Sequence, residues 1–228
     1  MAGMTDLPLA LITGASRGIG AAIAHQLSPT HRLLLGGRDT DALAKVAQEL
    51  PGAEPWQVDL TDAASLEAAA SKIDRLDVLV HSAGVGKIGT VAESPSSVWR
   101  TNLEVNVIAV AELTRLLLPA LRAANGHVVV INSGAGYTAR PGWGPYAASK
   151  FAVRAFTDSL RAEEPDLRVT SIFPGRTDTD MQREARAQEG GDYEADKYLR
   201  PDSVATAVLT AVTATPEAHF TEIQVRPR

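Results

Sequence analysis

Ser133, Tyr146 and Lys150 are the residues of this chain whose types and spacing most clearly permit chemistry. Tyr146 and Lys150 are four residues apart, so that, if Tyr146 opens a helix, the two side chains lie on one face about one turn apart. A neighbouring ammonium group favours the phenolate and lowers the pKa of a tyrosine from its usual ~10. The pattern therefore predicts a tyrosine that acts as general acid and base, although many helices carry this spacing by itself.

A glycine-rich turn follows the apolar run 9–13, which is typical of a buried strand. Its glycines stand at positions 14, 18 and 20, in the pattern G-x-x-x-G-x-G. Such glycines permit a tight turn and a close approach of the backbone to a pyrophosphate, and the helix that starts there offers unpaired N–H groups and a positive dipole end. The segment therefore predicts a phosphate-binding turn.

Further landmarks stand in a fixed order along the chain. The full series is TGASRGIG at 13–20, Asp59-Leu60, HSAG at 81–84, Asn106, Ser133, Tyr146-x-x-x-Lys150 and Pro174-Gly175 leading to Thr179. Together these motifs resemble the classical short-chain dehydrogenase/reductase family, and the resemblance extends over nearly the whole chain. It implies an oxidoreductase that transfers hydride between a nicotinamide cofactor and a carbonyl or secondary alcohol.

The resemblance implies a catalytic set of four residues. Tyr146 donates a proton to the carbonyl oxygen, or removes a hydroxyl proton in the reverse direction, and Ser133 orients that oxygen. Lys150 lowers the pKa of the tyrosine and binds the nicotinamide ribose. Asn106 holds a water that connects Lys150 to solvent. Taken singly, Ser133 is also consistent with a turn serine beside two glycines, and Asn106 with a helix asparagine bonded to the main chain.

The cofactor contacts implied by the resemblance come from five parts of the chain. They are Gly14, Ser16, Arg17, Gly18, Ile19 and Gly20 in the glycine turn, Arg38, Asp59 and Leu60 at the adenosine end, Ser82, Ala83 and Gly84, the catalytic Tyr146 and Lys150, and Pro174, Gly175, Thr177 and Thr179. For Asp59 a helix-capping role is the alternative to an adenine contact. We expect no metal site.

The residue after the second predicted strand bears on the choice between NAD and NADP. A carboxylate there would bind the ribose hydroxyls, whereas an arginine suits a 2′-phosphate, and this chain has Gly37 followed by Arg38. With Arg17 as a second cation, the resemblance implies a preference for NADP(H). The alternatives are that both arginines are solvated surface residues, or that Asp39 pairs with Arg38 or acts as the ribose carboxylate.

The segment HSAG departs from the Asn-Asn-Ala-Gly that the family usually shows. Because two asparagines are replaced, any hydrogen bonds that brace the sheet at this point must come from His81 or Ser82. We expect His81 to be hydrogen-bonded in place rather than catalytic or metal-binding, since no second histidine has ligand spacing to it.

Residues after Ser133 and after Met181 are candidates for the substrate pocket. Tyr137, Trp143 and Met181 would form an apolar wall, and the residues that would supply charge are Arg140, Arg176 and Arg183. The segment 176–200 is rich in charge, so it could be a mobile flap over the substrate or an ordinary solvated loop.

Composition limits the remaining possibilities. A net charge of −5 and the absence of a basic run argue against nucleic-acid binding. The absence of cysteine excludes disulfides, thiolate nucleophiles and cysteine-based zinc sites. No apolar run is long enough to span a membrane, and the start of the chain lacks the pattern of a signal peptide. We therefore expect a cytoplasmic protein with small-molecule partners.

Alternating apolar runs and amphipathic segments indicate an α/β fold of the Rossmann type, with helices on both faces of a mostly parallel, doubly wound sheet of seven strands. We expect one domain over 1–228. The predicted strands are 9–13, 32–36, 54–58, 76–81, 127–132, 168–173 and an edge strand 220–225. The predicted helices are 18–28, 40–50, 62–74, 95–123, 145–163 and 201–214, with a short one possible in 178–189. Thr61 or Asp62 could cap the third helix.

Two functions from different classes follow. The first is an NADP(H)-dependent oxidoreductase with Tyr146 as general acid and base. The alternative is a catalytically silent protein that senses NADP(H) on the same fold. Intact Ser133, Tyr146 and Lys150 favour the enzyme. The resemblance also implies a homodimer or homotetramer that pairs through the helices around 95–123 and 145–163.

Overall fold

Residues 7–228 are described by a computed structural model, and they form one seven-stranded sheet in the order β3-β2-β1-β4-β5-β6-β7. Every neighbouring pair of strands is parallel, so the Rossmann-type prediction is confirmed and the sheet is parallel throughout. The strands are Leu9–Thr13 (β1), Arg32–Gly37 (β2), Ala53–Gln57 (β3), Val78–His81 (β4), His127–Ile131 (β5), Arg168–Pro174 (β6) and Glu222–Val225 (β7).

Helices cover both faces of the sheet because alternate strand residues point to opposite sides. In β1, Ile12 packs with α1, α2 and α8, whereas Leu11 packs with α3, α5 and α6. The helices are Gly18–Leu27 (α1), Thr40–Glu49 (α2), Ala63–Ala70 (α3), Ser96–Leu103 (α4), Ala109–Arg122 (α5), Gly144–Glu163 (α6), Asp180–Gln188 (α7) and Pro201–Val212 (α8). None of the helices in residues 7–228 combines the length and the hydropathy that crossing a bilayer requires.

The predicted helix 95–123 is interrupted. A π-helical segment, Glu104–Ile108, separates α4 from α5 and contains Asn106. Such segments are rare and are frequent at functional sites. Apolar periodicity cannot reveal one, because residues of the same types continue the helix on either side.

The structure tests two predictions about where helices begin. Asp62 caps α3 by accepting from Ser65 N at 3.2 Å, so it is the cap and Thr61 is not. Pro201 begins α8, as expected for a proline in a first turn. The segment 176–200 contains α7 and a short 3₁₀ turn, Ala195–Lys197. The prediction that the start of the chain lacks a signal peptide falls partly on residues 1–6, which lie outside the described residues.

Candidate active site

A cavity of about 610 Å³ opens at the carboxyl edge of the sheet. Since all strands are parallel, the segments that follow β4, β5, β6 and β7 meet at this edge, where ligands of such sheets bind. The cavity is lined by 82–84, Ser133, Tyr146, Lys150 and parts of 174–179. Ile19 and Pro227 also line the cavity, so the fold brings together residues up to 208 positions apart (227 − 19) in the chain.

Ser133 and Tyr146 reach the cavity from two different elements. Ser133 follows β5, and its Oγ accepts from Ala135 N at 3.1 Å, which caps a 3₁₀ turn. Tyr146 lies in the first turn of α6, which begins at Gly144, so the predicted helix start is confirmed. The Ser133 hydroxyl lies near enough to the Tyr146 phenol to lower the pKa of that phenol, and both side chains line the cavity. Because Ser133 Oγ accepts from Ala135 N, its own proton is still available to donate to an acceptor in the cavity.

Lys150 lies one turn beyond Tyr146 on α6, and its side chain is buried. Its Nζ donates to the carbonyl oxygen of Ile131 at 3.0 Å and lies 5.8 Å from the centre of the Tyr146 ring. Burial lowers the pKa of Lys150 to about 8, since the charged form loses solvation. An ammonium group with three donors has hydrogen-bonding capacity beyond this single carbonyl.

The expected lowering of the tyrosine pKa is not found. Burial raises the pKa of Tyr146 above its usual value, and the nearby Ser133 hydroxyl opposes that rise. The prediction from sequence considered only the positive charge of a neighbouring Lys150 and not the burial of the two side chains. In the fold, burial disfavours the charged form of both groups, and Lys150 is held by Ile131.

Asn106 is buried, and all the polar atoms of its side chain are engaged. Oδ1 accepts from Val85 N at 2.9 Å, while Nδ2 donates to Val85 O at 2.9 Å and to Ser149 Oγ at 3.0 Å. Both Nδ2 hydrogens are used, so a water held by Asn106 would have to donate to its backbone carbonyl or to the second lone pair of Oδ1. The side chain itself fixes the segment after β4 against α6.

Two supporting residues were not found by sequence reasoning. Asn132 is buried, accepts from Ser133 N at 2.8 Å and donates to Lys150 O at 3.2 Å. Ser149 donates to Tyr146 O at 2.7 Å. Asn132 therefore links the backbones of Ser133 and Lys150. Its position directly before Ser133 was the available signal.

The glycine turn packs tightly against the segment after β4. Gly14 has φ +67°, and a Cβ on this residue would lie 2.8 Å from backbone atoms of Ala83. A Cβ on Gly20 would lie 2.2 Å from Gly14 O, so neither position accepts a side chain. The start of α1 has no side-chain cap at Arg17 and no acidic residue in its first turn. Its N–H groups therefore suit an anion such as a pyrophosphate.

Thr13 braces the sheet where the family's asparagines would be expected. Its Oγ1 accepts from Ser82 N and Ala83 N, both at 3.1 Å. His81 is buried and bonds Thr114 Oγ1 at 2.9 Å, and burial lowers its pKa to about 3. The expectation that His81 is held in place is therefore confirmed, whereas the brace comes from Thr13 rather than from His81 or the Ser82 side chain.

The two arginines predicted to bind the 2′-phosphate are exposed, and each lies beside a carboxylate. Arg38 Nη1 lies 4.0 Å from Asp59 Oδ2, and Arg17 Nε lies 3.6 Å from Asp180 Oδ2. Asp59 accepts from Thr61 N and Thr61 Oγ1, which lowers its pKa. Asp39 caps α2 by accepting from Ala42 N at 3.0 Å. Oδ1 of Asp39 is therefore engaged by the helix, and within residues 7–228 the carboxylate that lies beside Arg38 is that of Asp59 rather than that of Asp39.

The segment 174–179 runs from β6 to the start of α7. Thr177 is buried, and its Oγ1 donates to Gly175 O at 3.1 Å. Thr179 caps α7 by accepting from Gln182 N at 3.3 Å. A Cβ on Gly18 would lie 3.4 Å from Thr179 Cγ2, so Thr179 faces the glycine turn. Between them, the turn and this segment could hold the pyrophosphate and nicotinamide ends of a dinucleotide.

The residues predicted for the substrate wall divide into two groups. Tyr137, Arg140, Trp143, Arg176 and Met181 line the cavity. Within the described part of the chain, Arg183 instead pairs with Asp178 at 2.6 Å and Asp180 at 3.2 Å. The prediction of Arg183 in the wall is therefore wrong, because α7 turns its side chain back to the acids that precede and open the helix.

Glu189 is a further residue that sequence reasoning missed. Its carboxylate accepts from Trp143 Nε1 at 3.1 Å, from Arg176 Nη1 at 2.9 Å and from Arg186 Nη1 at 3.3 Å. The Trp143 ring meets the Tyr146 ring edge-on, with centroids 5.7 Å apart. These contacts tie the end of α7 to the wall beside Tyr146.

Comparisons with known proteins agree with this geometry. The family model described as short chain dehydrogenase matches residues 8–190. The chain is 31% identical to dehydrogenase/reductase SDR family member 11 of Mus musculus, over 96% of this chain and 94% of that protein. It is 34% identical to glycine betaine reductase ATRR of Emericella nidulans, over 96% of this chain but only 19% of that longer protein.

A solved structure has a similar fold over almost its full length. It is an alcohol dehydrogenase from the archaeon Thermococcus sibiricus complexed with 5-hydroxy-NADP, with a TM-score of 0.89 and 30% identity. The match covers 97% of each chain.

Proposed function

Because the chain belongs to the short-chain dehydrogenase/reductase family, we propose that it is an NADP(H)-dependent oxidoreductase acting on a carbonyl or secondary alcohol. Tyr146 is the general acid and base. The observation that carries this proposal is the meeting of the Ser133 hydroxyl and the Tyr146 phenol at one cavity, with Lys150 one turn along α6.

The proton chemistry of the reduction follows from these groups. The Tyr146 phenol donates its proton to the carbonyl oxygen, and its raised pKa keeps that proton bound at neutral pH. The Ser133 hydroxyl donates a hydrogen bond to the same oxygen as negative charge develops on it. In the reverse direction the phenolate accepts the alcohol proton. The bound nicotinamide supplies or accepts the hydride.

The positions of several residues support NADP(H) as the cofactor. The glycine turn and the uncapped start of α1 suit the pyrophosphate. Arg38, which follows β2, and Arg17, in the glycine turn, are exposed cations that suit a 2′-phosphate. The alcohol dehydrogenase of similar fold was solved with 5-hydroxy-NADP. Lys150 has N–H donors to offer the nicotinamide ribose in addition to its bond to Ile131.

Tyr146→Phe tests the proposal directly. The change removes the phenol oxygen but keeps the ring that packs against Trp143. We expect NADPH-dependent carbonyl reduction to fall by at least about 10²-fold, since a general acid contributes 10²–10⁴-fold. The dissociation constant for NADPH should stay within about twofold, because the ring and Lys150 remain in place. Steady-state absorbance at the NADPH band and fluorescence titration measure the two quantities.

Tyr193→Phe is the matched control, since the Tyr193 hydroxyl bonds Asp178 at 2.5 Å and the residue is outside the catalytic set. A fully active Tyr146→Phe enzyme would refute the proposed role. A parent chain that binds NADPH but reduces none of a panel of ketones and aldehydes would instead favour the silent NADP(H)-sensing protein.

We further propose that the chain acts as one domain in the cytoplasm and assembles as a homodimer or homotetramer. Ile108, beside α5, is 53% exposed, and Phe151, on α6, is 43% exposed. Burying these apolar side chains between copies would stabilise the assembly. Light scattering should give at least twice the 24.1 kDa chain mass, and Phe151→Glu should shift the protein towards monomer. A monomeric parent chain would contradict the proposal.

A further inference from the structure

The wall of the cavity is cationic although the whole chain is acidic. The net charge of the chain is −5. The charged residues that line the cavity are Arg140, Lys150, Arg176, Lys197 and Arg226, and within residues 7–228 no aspartate or glutamate lines it. A cleft lined by charge of one sign raises the local concentration of ligands of the opposite sign.

Glu189, which lies behind one part of this wall, does not neutralise it. Its carboxylate is shared by Arg176, at 2.5 Å, and Arg186, at 3.3 Å. Two guanidinium groups therefore face a single carboxylate. The cluster of Arg176, Arg186 and Glu189 therefore carries a net positive charge, and Arg176 is the charged member of it that lines the cavity.

Glu222, behind the opposite part of the wall, is also engaged. It pairs with Arg154 at 3.6 Å and accepts the hydroxyl of Tyr137. Arg226 is held by neutral acceptors instead, Phe173 O and Gln224 Oε1, each at 3.1 Å. Among the described residues, no carboxylate lies within ion-pair distance of Arg226 or Arg140.

Arg226 lies against Gly134, the residue that follows Ser133 in the chain. It follows β7, so it stands at the carboxyl edge with the ends of β5 and β6. Its Nη1 lies 3.1 Å from the position of a Cβ on Gly134, and Gly134 directly follows Ser133. A guanidinium has N–H donors beyond the two engaged here, in a geometry that matches a carboxylate or phosphate.

We propose that the substrate is an anionic carbonyl compound, carrying a carboxylate or phosphate a few bonds from the carbonyl, and that Arg226 binds the anionic group. The inference rests on the proposed function, which puts the carbonyl oxygen between Ser133 and Tyr146. The phosphates of the cofactor are assigned to the glycine turn and Arg38, so they do not account for a cation beside Gly134.

Matched substrate pairs test the inference. The pairs are 4-oxopentanoate with its ethyl ester, and dihydroxyacetone phosphate with dihydroxyacetone. We expect kcat/KM to favour the anionic member of at least one pair by about tenfold or more, as a charge-assisted hydrogen bond would. The pair that shows the preference identifies carboxylate or phosphate. Similar kcat/KM within both pairs would overturn the inference.

Arg226→Gln should bring the preferred pair's ratio close to one, and Arg226→Lys should retain part of it. Arg75→Gln is the control, because it removes the same charge before β4, at the amino edge of the sheet, and it should leave the ratio unchanged. A preference that survives Arg226→Gln would refute the role of Arg226. A rise in the NADPH dissociation constant as large as the loss in kcat/KM would also refute this role, because it would show that Arg226 binds the cofactor.

Glu189→Gln is a variant that should increase the preference for the anionic substrate, whereas Arg226→Gln should decrease it. It removes the negative charge shared by Arg176 and Arg186 and keeps an oxygen for Trp143 Nε1. The net positive charge of the cluster then grows, so the preference for the anionic member should increase severalfold. A decrease would contradict the electrostatic argument.

Binding to the Tyr146→Phe protein loaded with NADPH separates this inference from the proposed function. Calorimetry with the same four compounds should show tighter binding of the anionic member, lost when Arg226→Gln is added. If binding depends on Arg226 in this way while the parent chain reduces none of the compounds, the anion site is supported and the oxidoreductase function is refuted. If the parent chain reduces the compounds without preferring the anionic member of either pair, the oxidoreductase function is supported and the anion site is refuted.

Discussion

Arg38 is the residue on which, in the proposed function, the choice between the two nicotinamide cofactors depends. Its guanidinium lies 4.0 Å from Asp59 and is largely exposed, so it is available to a 2′-phosphate. We expect Arg38→Gln to raise the dissociation constant for NADPH by about tenfold or more, with a much smaller change for NADH, which lacks that phosphate.

Fluorescence titration with both cofactors measures these constants. Arg75→Gln is again the control, because it removes one positive charge at the amino edge of the sheet. Equal losses for NADH and NADPH would show that Arg38 does not contact the phosphate. The comparison is needed because the sequence left Asp39 as a possible partner or ribose ligand. The structure shows that Asp39 caps α2, which leaves the arginine as the residue to test.

The side chains expected to do chemistry were identifiable from sequence, but their protonation was not. Ser133, Tyr146 and Lys150 follow from residue type and spacing. Burial sets the direction in which the pKa of Tyr146 and of Lys150 moves. Burial depends on which segments cover these side chains, and no spacing within α6 contains that information.

At the scale of elements, Thr13 joins the end of β1 to the segment after β4. Thr13→Val keeps the shape of the side chain but leaves the N–H groups of Ser82 and Ala83 without their acceptor. We expect the free energy of unfolding to fall by about 2 kcal/mol and NADPH binding to weaken, because 82–84 line the cavity.

Urea unfolding and NADPH titration measure the two effects of Thr13→Val. Thr206→Val is the control, since Thr206 is exposed on α8 and its hydroxyl bonds only Asp202 O within its own helix. That change should cost no more than about 0.5 kcal/mol. Equal effects of the two substitutions would show that the brace does not stabilise the fold.

At the scale of the whole molecule, buried histidines couple stability to pH. Burial lowers the pKa of His81 and of His127 to about 3, below the unfolded value of ~6.5. The unfolded chain therefore binds more protons between these values. Stability should be unaffected by these groups above pH ~6.5 and should fall on acidification below it, by up to about 1.4 kcal/mol per pH unit for each histidine.

Urea unfolding at several pH values between 5 and 7.5 measures this slope, and one cooperative transition is expected for a single domain. His81→Asn should reduce the slope, because it removes one of the buried histidines whose pKa is lowered, the others being His31 and His127. The same change at the exposed His25 is the control, since it removes a histidine without altering the core. A slope that His81→Asn does not change would contradict the assignment.

The sequence by itself determined the alternation of strands and helices, the order of the motifs and the candidate residues for proton transfer, because apolar periodicity and local spacing are properties of short segments. Tertiary structure alone decided the π-helical segment at Asn106, the brace from Thr13 and the contacts of Glu189. It also decided that Arg226, 93 residues after Ser133 (226 − 133), lies beside the same cavity. Each of these depends on contacts between segments distant in the chain, which the parallel sheet creates by bringing its strand ends to one edge.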